Sequence, residues 1–252
     1  MASWSTRRKY GYFFGILLAL SILAGVPAFF ALYEAPTCAD GKHNGDERGI
    51  DCGGSCVKLC AADFTPPKVM WSYSMRIVPG VYNSIAYVQN PNQLVESAPL
   101  SYVFRLYDKD GLYITERKGK VFVPAGQKFA VFENAIKTGE RIPARTTFEF
   151  TGEPVWRPGE VLQKVRAESI EVDQAGAPRA EVVVKNDAKD RVYTDLGVYL
   201  ILYDASDNRT AFSKAVIAKL LPEGRETVYF TWPESFPRPS VRSEVLFVAD
   251  SD

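Results

Sequence analysis

The side chains with most obvious chemistry crowd into one short stretch. Cys38, Cys52, Cys56 and Cys60 are the only cysteines in 252 residues, and His43 beside them is the only histidine. The spacing C-x13-C-x3-C-x3-C serves either a pair of disulfides or a zinc site built with or without His43. Between the first two cysteines stand Asp40, Asn44, Asp46, Glu47 and Asp51 on a glycine-rich run. Asp40, Asn44, Asp46 and Asp51 are hard oxygen donors of the kind calcium takes, although they lack the Asp-x-Asp-x-Asp-Gly order of an EF-hand. Acids that cap tight turns through side-chain hydrogen bonds give the same composition. Calcium is thus the one cofactor the residues leave open, and no other is expected.

Catalytic patterns are absent elsewhere. One histidine makes histidine-based acid–base work improbable. The chain has no Gly-x-Ser-x-Gly elbow, phosphate loop, Gly-x-Gly-x-x-Gly or His-Glu-x-x-His. Asp108/Asp110 and Asp187/Asp190 are acid pairs, but both fall in turn-forming stretches. Glycosidase acids need not be neighbours in sequence, which leaves an envelope hydrolase as the last of the readings. The expectation is no enzyme, no catalytic residue and no small-molecule substrate. Thirty basic side chains balance thirty acidic ones, which excludes the basic excess of a nucleic-acid binder.

The elements that must carry these residues begin with an apolar run. Residues Tyr10 to Tyr33 form 24 positions without a charge. At about 1.5 Å per residue, roughly 20 residues cross a bilayer core. Arg7, Arg8 and Lys9 precede the run, and tyrosines mark both ends. The positive-inside bias therefore predicts a cytoplasmic tip at 1–9, a transmembrane helix at 10–33 and an extracytoplasmic remainder on the cell membrane. A cleaved signal peptide is the competing reading. It would carry a shorter hydrophobic region of about 7–15 residues, and here the small residues Ala24 and Ala28 lie inside the run. Outside the cytoplasm the four cysteines are expected to form two disulfides, with three connectivities open.

Segment 34–64 is a cysteine-rich module, acidic because Glu34, Asp40, Asp46, Glu47, Asp51 and Asp63 outnumber Lys42, Arg48 and Lys58. So short a stretch needs covalent staples in place of a core. It resembles a motif, C-x-D-G-x-x-N-G-D-E-x-x-x-D-C-G-G-x-C, of secreted and surface-anchored prokaryotic proteins. The resemblance implies an extracellular, disulfide-linked spacer and carries no activity.

The remaining chain matches itself. AYVQNP at 86–91 aligns with VVVKND at 182–187, and FRLYD at 104–108 with LILYD at 200–204, both at a shift of 96. VPAGQKFAVF at 123–132 aligns with LPEGRETVYF at 221–230 at a shift of 98. Each copy reads as β. Residues 85–90 and 181–185 alternate, whereas 102–107 and 198–203 are continuous runs of the kind buried on both faces. Asp108–Gly111 and Asp204–Asn208 read as turns. The expected fold is all-β: two tandem immunoglobulin-like β-sandwich domains, 65–155 and 160–252, behind one transmembrane helix and a small disulfide-rich module. GEPVWRPG at 152–159 supplies the boundary.

Phe104-Arg-Leu-Tyr-Asp108 spells F-x-L-Y-D, and the chain here resembles the FxLYD domain family of exported prokaryotic proteins; the second copy has Leu200 in place of Phe. The resemblance implies an immunoglobulin-like sandwich and export, and it transfers no catalytic residue. By pattern, Phe104, Leu106, Leu200 and Leu202 are core positions. Tyr107 and Tyr203 are expected to pack a ring, while Asp108 and Asp204 bond the following turn. The functional expectation is a membrane-anchored binding or scaffold protein whose sandwiches make protein contacts in the envelope. The alternative is an accessory subunit of an envelope or secretion assembly, contacting it through the helix by the small-residue row Gly11, Gly15, Ala19. Asn208-Arg-Thr210 fits the N-glycosylation pattern.

Overall fold

The computed structural model describes residues 4–33, 35–162 and 164–249. Glu34, counted above with the acidic module, lies outside them. The chain divides into two compact units, Met1–Gly54 and Ser55–Asp252, with the division inside the cysteine-rich segment.

The first unit holds helix α1, Trp4–Leu32, which includes Pro27. Its stretch Arg7–Leu32 has a mean hydropathy of 2.3 and is long and apolar enough to cross a membrane. None of its side chains with a described environment is buried, as expected of a helix whose apolar surface meets no protein partner. The loop that follows is held by turns and by one β-bridge between Gly49 and Cys52. Gly54 has φ of +61°, and a Cβ there would lie 2.0 Å from the Asp46 carbonyl oxygen, so no other residue fits.

The second unit is all-β. Its first half contains β1 (Lys68–Val78), β2 (Val81–Gln89), β3 (Val95–Tyr107), β4 (Tyr113–Val123), β5 (Lys128–Lys137), β6 (Arg145–Phe150) and β7 (Trp156–Pro158). The second half contains β8 (Val165–Asp173), β9 (Arg179–Asn186), β10 (Tyr193–Tyr203), β11 (Arg209–Leu220), β12 (Arg225–Thr231) and β13 (Arg242–Val248). In the first half β1-β2-β5 faces β4-β3-β6, with β7 added to the start of β3. In the second half β8-β9-β12 faces β11-β10-β13 in the same order. Each is a three-on-three antiparallel sandwich of immunoglobulin-like order.

Three apolar layers hold this unit together. Ala86, Val88, Phe104, Leu106, Phe129 and Val131 build the first sandwich core. Val182, Val184, Leu200, Leu202, Val228 and Phe230 help to build the second. A third layer lies between the sandwiches, where Ile85, Tyr87 and Ala130 meet Tyr199, Ile201, Tyr203, Phe212 and Leu246. Sheets β1-β2-β5 and β11-β10-β13 are therefore inner layers of a four-sheet stack.

That stacking corrects two strand readings. Residues 85–90 do not alternate buried with exposed: Ile85 and Tyr87 enter the middle layer while Ala86 and Val88 enter the first core. Residues 102–107, read as covered on both faces, belong to an outer sheet, and Arg105 and Tyr107 stay half-exposed on its outward face. Run 198–203 lies in an inner sheet and is buried throughout. Trp156, assigned by sequence to the linker, is only 1% exposed in the first core.

The alignment at a shift of 98 also fails in space. Val88 pairs with Phe129, and the corresponding Val184 pairs with Glu226, a shift of 97. Gly126 (φ +57°) thus corresponds to Glu223 (φ 55°) rather than to Gly224. A one-residue slip reverses the face of every side chain. Phe132 accordingly packs on the layer between the sandwiches, whereas Phe230 belongs to the second core.

Candidate functional site

All four cysteines, Cys38, Cys52, Cys56 and Cys60, are disulfide-bonded, which leaves no thiolate to ligate zinc. Two of the calcium candidates, Asp40 and Asp51, accept N–H groups of their own loop. Asp40 Oδ1 accepts from the Lys42 amide (2.9 Å), and its Oδ2 accepts from the Thr37 amide (3.2 Å) and Asn44 Nδ2 (2.9 Å). The Asn44 amide first, then the Lys42 backbone, hold the Asp40 carboxyl below its ordinary value. Both Asp51 oxygens accept from the Gly41 amide at 3.0–3.1 Å. Glu47 Oε2 accepts from the Asp51 amide at 3.2 Å, and His43 Nε2 lies 2.8 Å from the Glu47 carbonyl.

The motif residues of the sandwiches occupy matching places. Phe104, Leu106, Leu200 and Leu202 are wholly buried in the two cores. Asp108 Oδ1 accepts from the amides of Asp110 (3.1 Å) and Leu112 (2.9 Å), and Oδ2 pairs with Arg141. Asp204 Oδ1 accepts from the amides of Ser206 and Asn208, both at 2.9 Å, and Oδ2 pairs with Arg238 at 3.1 Å. These bonds, the Asn208 amide first, hold Asp204 at a pKa of about 2. The Arg141 pair, reinforced by the Leu112 amide, also lowers Asp108.

Two buried asparagines end the first aligned strand of each copy and have a role that the sequence pattern did not assign. Asn90 Nδ2 donates to the carbonyls of Val95 (2.7 Å) and Pro124 (2.8 Å), and its Oδ1 accepts from the Asn92 amide (3.0 Å). Asn186 Nδ2 donates to Arg191 (2.7 Å) and Leu221 (2.9 Å), and its Oδ1 accepts from the Ala188 amide (2.9 Å). Each cross-links three loop segments. Their signal was an Asn in the same place of each aligned block.

At the rim of the middle layer, Tyr87 and Tyr203 donate to opposite oxygens of Glu244, at 2.6 and 2.9 Å. The carboxylate thus joins a tyrosine of each sandwich. Arg242 lies 3.8 Å over the Tyr203 ring. Burial first, then the bond to Glu244, raises both tyrosine hydroxyls, and burial alone pushes Tyr199 up to about 12. Tyr107 meets the Arg145 guanidinium at 4.6 Å and the Tyr113 ring at 6.1 Å.

A depression of about 720 Å³ opens where the sandwiches meet. Tyr73–Ile77 of β1, Ile142 and Pro143 form the first sandwich's share, and Thr210 with the 232–237 loop forms the second's. Arg76 and Glu234 span it as an ion pair at 3.0 Å. A recess of about 340 Å³ beside Arg209 shares Tyr73, Thr210 and Pro237 with this cleft. Sequence inspection met Arg209 and Thr210 only inside the glycosylation pattern. In the fold Thr210 is 2% exposed and Asn208 Nδ2 bonds Asp204, which ties the pattern into the structure.

No protein-family model matches the chain, and no curated protein matches it. Among solved structures, a red sea bream transglutaminase is similar at 17% identity and a TM-score of 0.25, over 74% of this chain and 29% of that one. The N-terminal CBM22-1-CBM22-2 tandem domain of Paenibacillus barcinonensis Xyn10C is similar at 11% identity and a TM-score of 0.15, over 74% and 85%.

Proposed function

We propose that the chain is a membrane-anchored binding or scaffold protein, fixed by α1 and presenting its two sandwiches as one block for protein contacts outside the cytoplasm. The observation that carries the reading is the apolar layer between the sandwiches, with Ile85 and Ala130 on one side and Ile201 and Phe212 on the other. Two sandwiches joined through a buried apolar layer act as one body rather than as beads on a linker. The apolar stretch Arg7–Leu32 supports anchoring, and Arg7, Arg8 and Lys9 at its start support a cytoplasmic tip. Binding rather than catalysis is supported by the acids: Asp108, Asp187 and Asp204 are engaged by turn amides or arginines. The equivalent bonds at Asn90 and Asn186 and at Asp108 and Asp204 support two copies of one FxLYD-like sandwich.

The test is cross-linking of the tagged full-length chain in its native membrane, with partners identified by mass spectrometry. Reproducible capture that survives exchange of α1 for an unrelated anchor is the expected result. Capture that vanishes with the exchange would favour the accessory-helix alternative, and no reproducible capture would overturn both.

A further inference from the structure

We infer that the recess at Arg209 and Thr210 binds a carboxylate, and that recess and cleft together take an extended acidic peptide segment of a partner protein. The inference deepens the binding reading and rests on its claim that the double sandwich makes protein contacts.

The local backbone singles these residues out. Tyr203 pairs with Arg209 and Leu202 with Ala211, so Thr210 is the extra residue of a β-bulge. Bulges re-aim side chains, and they concentrate beside binding sites. Thr210 is almost wholly buried, yet its Oγ1 has no hydrogen-bond partner. The Nε of Arg209 is buried without a partner as well. A buried donor left unpaired costs about 1–3 kcal/mol. Here two occur on consecutive residues that line one recess.

Charge points to the ligand class. Around the recess Arg76 is paired with Glu234, Arg238 with Asp204 and Arg242 with Asp207. Among the described residues Arg209 has no carboxylate within ion-pair distance. Its guanidinium lies instead over the rings of Trp71 (4.8 Å) and Tyr73 (5.6 Å). Those rings attract the cation but offer it no lone-pair acceptor. A guanidinium fork beside a hydroxyl suits a carboxylate, which accepts two parallel N–H bonds and has lone pairs left for the hydroxyl. Both residues line the recess, and a change of rotamer is what would turn their unpaired donors towards it.

The cleft indicates what carries the carboxylate. Five successive residues of β1 wall it; the edge of β1 away from β2 is covered at Ser72 and Ser74, which bond Thr146 of β6, and the wall continues past them through Met75, Arg76 and Ile77. Five residues of strand extend about 16 Å, far more than a lone anion needs. Pro233 and Pro237 on the opposite wall offer no N–H, and Phe236 adds apolar surface. An extended peptide strand laid along this wall draws specificity from its alternate side chains, which face opposite ways. An acidic side chain of that strand reaches Arg209.

The test uses the full-length chain in detergent micelles and fluorescence anisotropy of a labelled probe, Thr-Val-Glu-Val-Thr, beside its Gln analogue. The Glu probe is expected to bind saturably and the Gln probe about tenfold more weakly. Arg209→Lys should weaken the Glu probe about tenfold, because an ammonium cannot reproduce the fork. Thr210→Val should weaken it several-fold while leaving Tm unchanged or raised, since it removes an unpaired hydroxyl. No binding, equal binding of both probes, or binding indifferent to both substitutions would overturn the inference. Stabilisation by inorganic phosphate without probe binding would overturn the peptide in favour of a free anion. Capture of a partner in the membrane experiment is read independently, so probe failure with successful capture rejects this site and leaves the binding reading standing.

Discussion

Asn90 and Asn186 show how much a single polar side chain can hold. Each amide donates to two loop carbonyls and accepts from one backbone amide in a site closed to water. Removing it orphans buried carbonyls, which cost about 1–3 kcal/mol each. Asn90→Ala and Asn186→Ala should therefore each lower stability by about 2–4 kcal/mol, measured by urea unfolding. A loss below about 0.5 kcal/mol would show that the loops hold without the amide. Asp204 acts through charge instead. Its folded pKa of about 2 lies below the ordinary carboxylate value. Its stabilisation is therefore present at neutral pH and is lost as pH falls from about 4 towards 2. Asp204→Asn should lower Tm at pH 7, and the gap from wild type should narrow below pH 4; a gap independent of pH would contradict this. The aspartates were legible in sequence because turn chemistry is local. The asparagines were not, because their carbonyl partners include residues 34 and 35 positions away.

Strand existence was legible at the scale of elements, but facing was not. Apolar runs reveal a strand and cannot say how many layers cover it. Run 198–203 in β10 lies between two apolar layers, while the similar run 102–107 in β3 keeps Arg105 and Tyr107 half-exposed on its outward face and buries only Val103 there. The difference comes from the second sandwich docking on β1-β2-β5, a long-range event with no local signature. The slip between Gly126 and Glu223 has a similar origin, since a sequence match rewards glycine over glycine while the sheet sets register by face. Docking also predicts coupling through Glu244. Tyr87→Phe and Tyr203→Phe should each cost about 1 kcal/mol. The double mutant should deviate from additivity by about 0.5 kcal/mol or more, because both hydroxyls share one carboxylate. Strict additivity in equilibrium unfolding would mean that the two sandwiches do not communicate there.

At the scale of the whole molecule, Ser55–Asp252 is a four-sheet stack whose middle layer is built of buried residues like its two cores. Such a body should unfold as one unit, so calorimetry of the full-length chain should show a single β transition. Two resolved transitions would mean that the sandwiches are independent. Ile201→Ala, which opens the middle layer, should lower that transition by about 2–5 kcal/mol without splitting it. The apolar helix and the cysteine-rich stretch were the most legible parts of the chain, because length, charge flanks and cysteine spacing need no tertiary knowledge. The recess at Arg209 and Thr210 was the least legible, because a bulge and the rings of β1 create it.

In the proposed function α1 holds the β body on the outer side of a membrane. The direct measurement is lysine labelling of intact cells with a membrane-impermeant reagent, followed by alkaline carbonate extraction and mass analysis of the purified chain. The chain should stay in the membrane pellet with residues 1–33 attached and carry label on surface lysines such as Lys118 and Lys219. A chain that carbonate releases, that lacks the residues before about Ala28, or that takes up label only after lysis would contradict the proposed function.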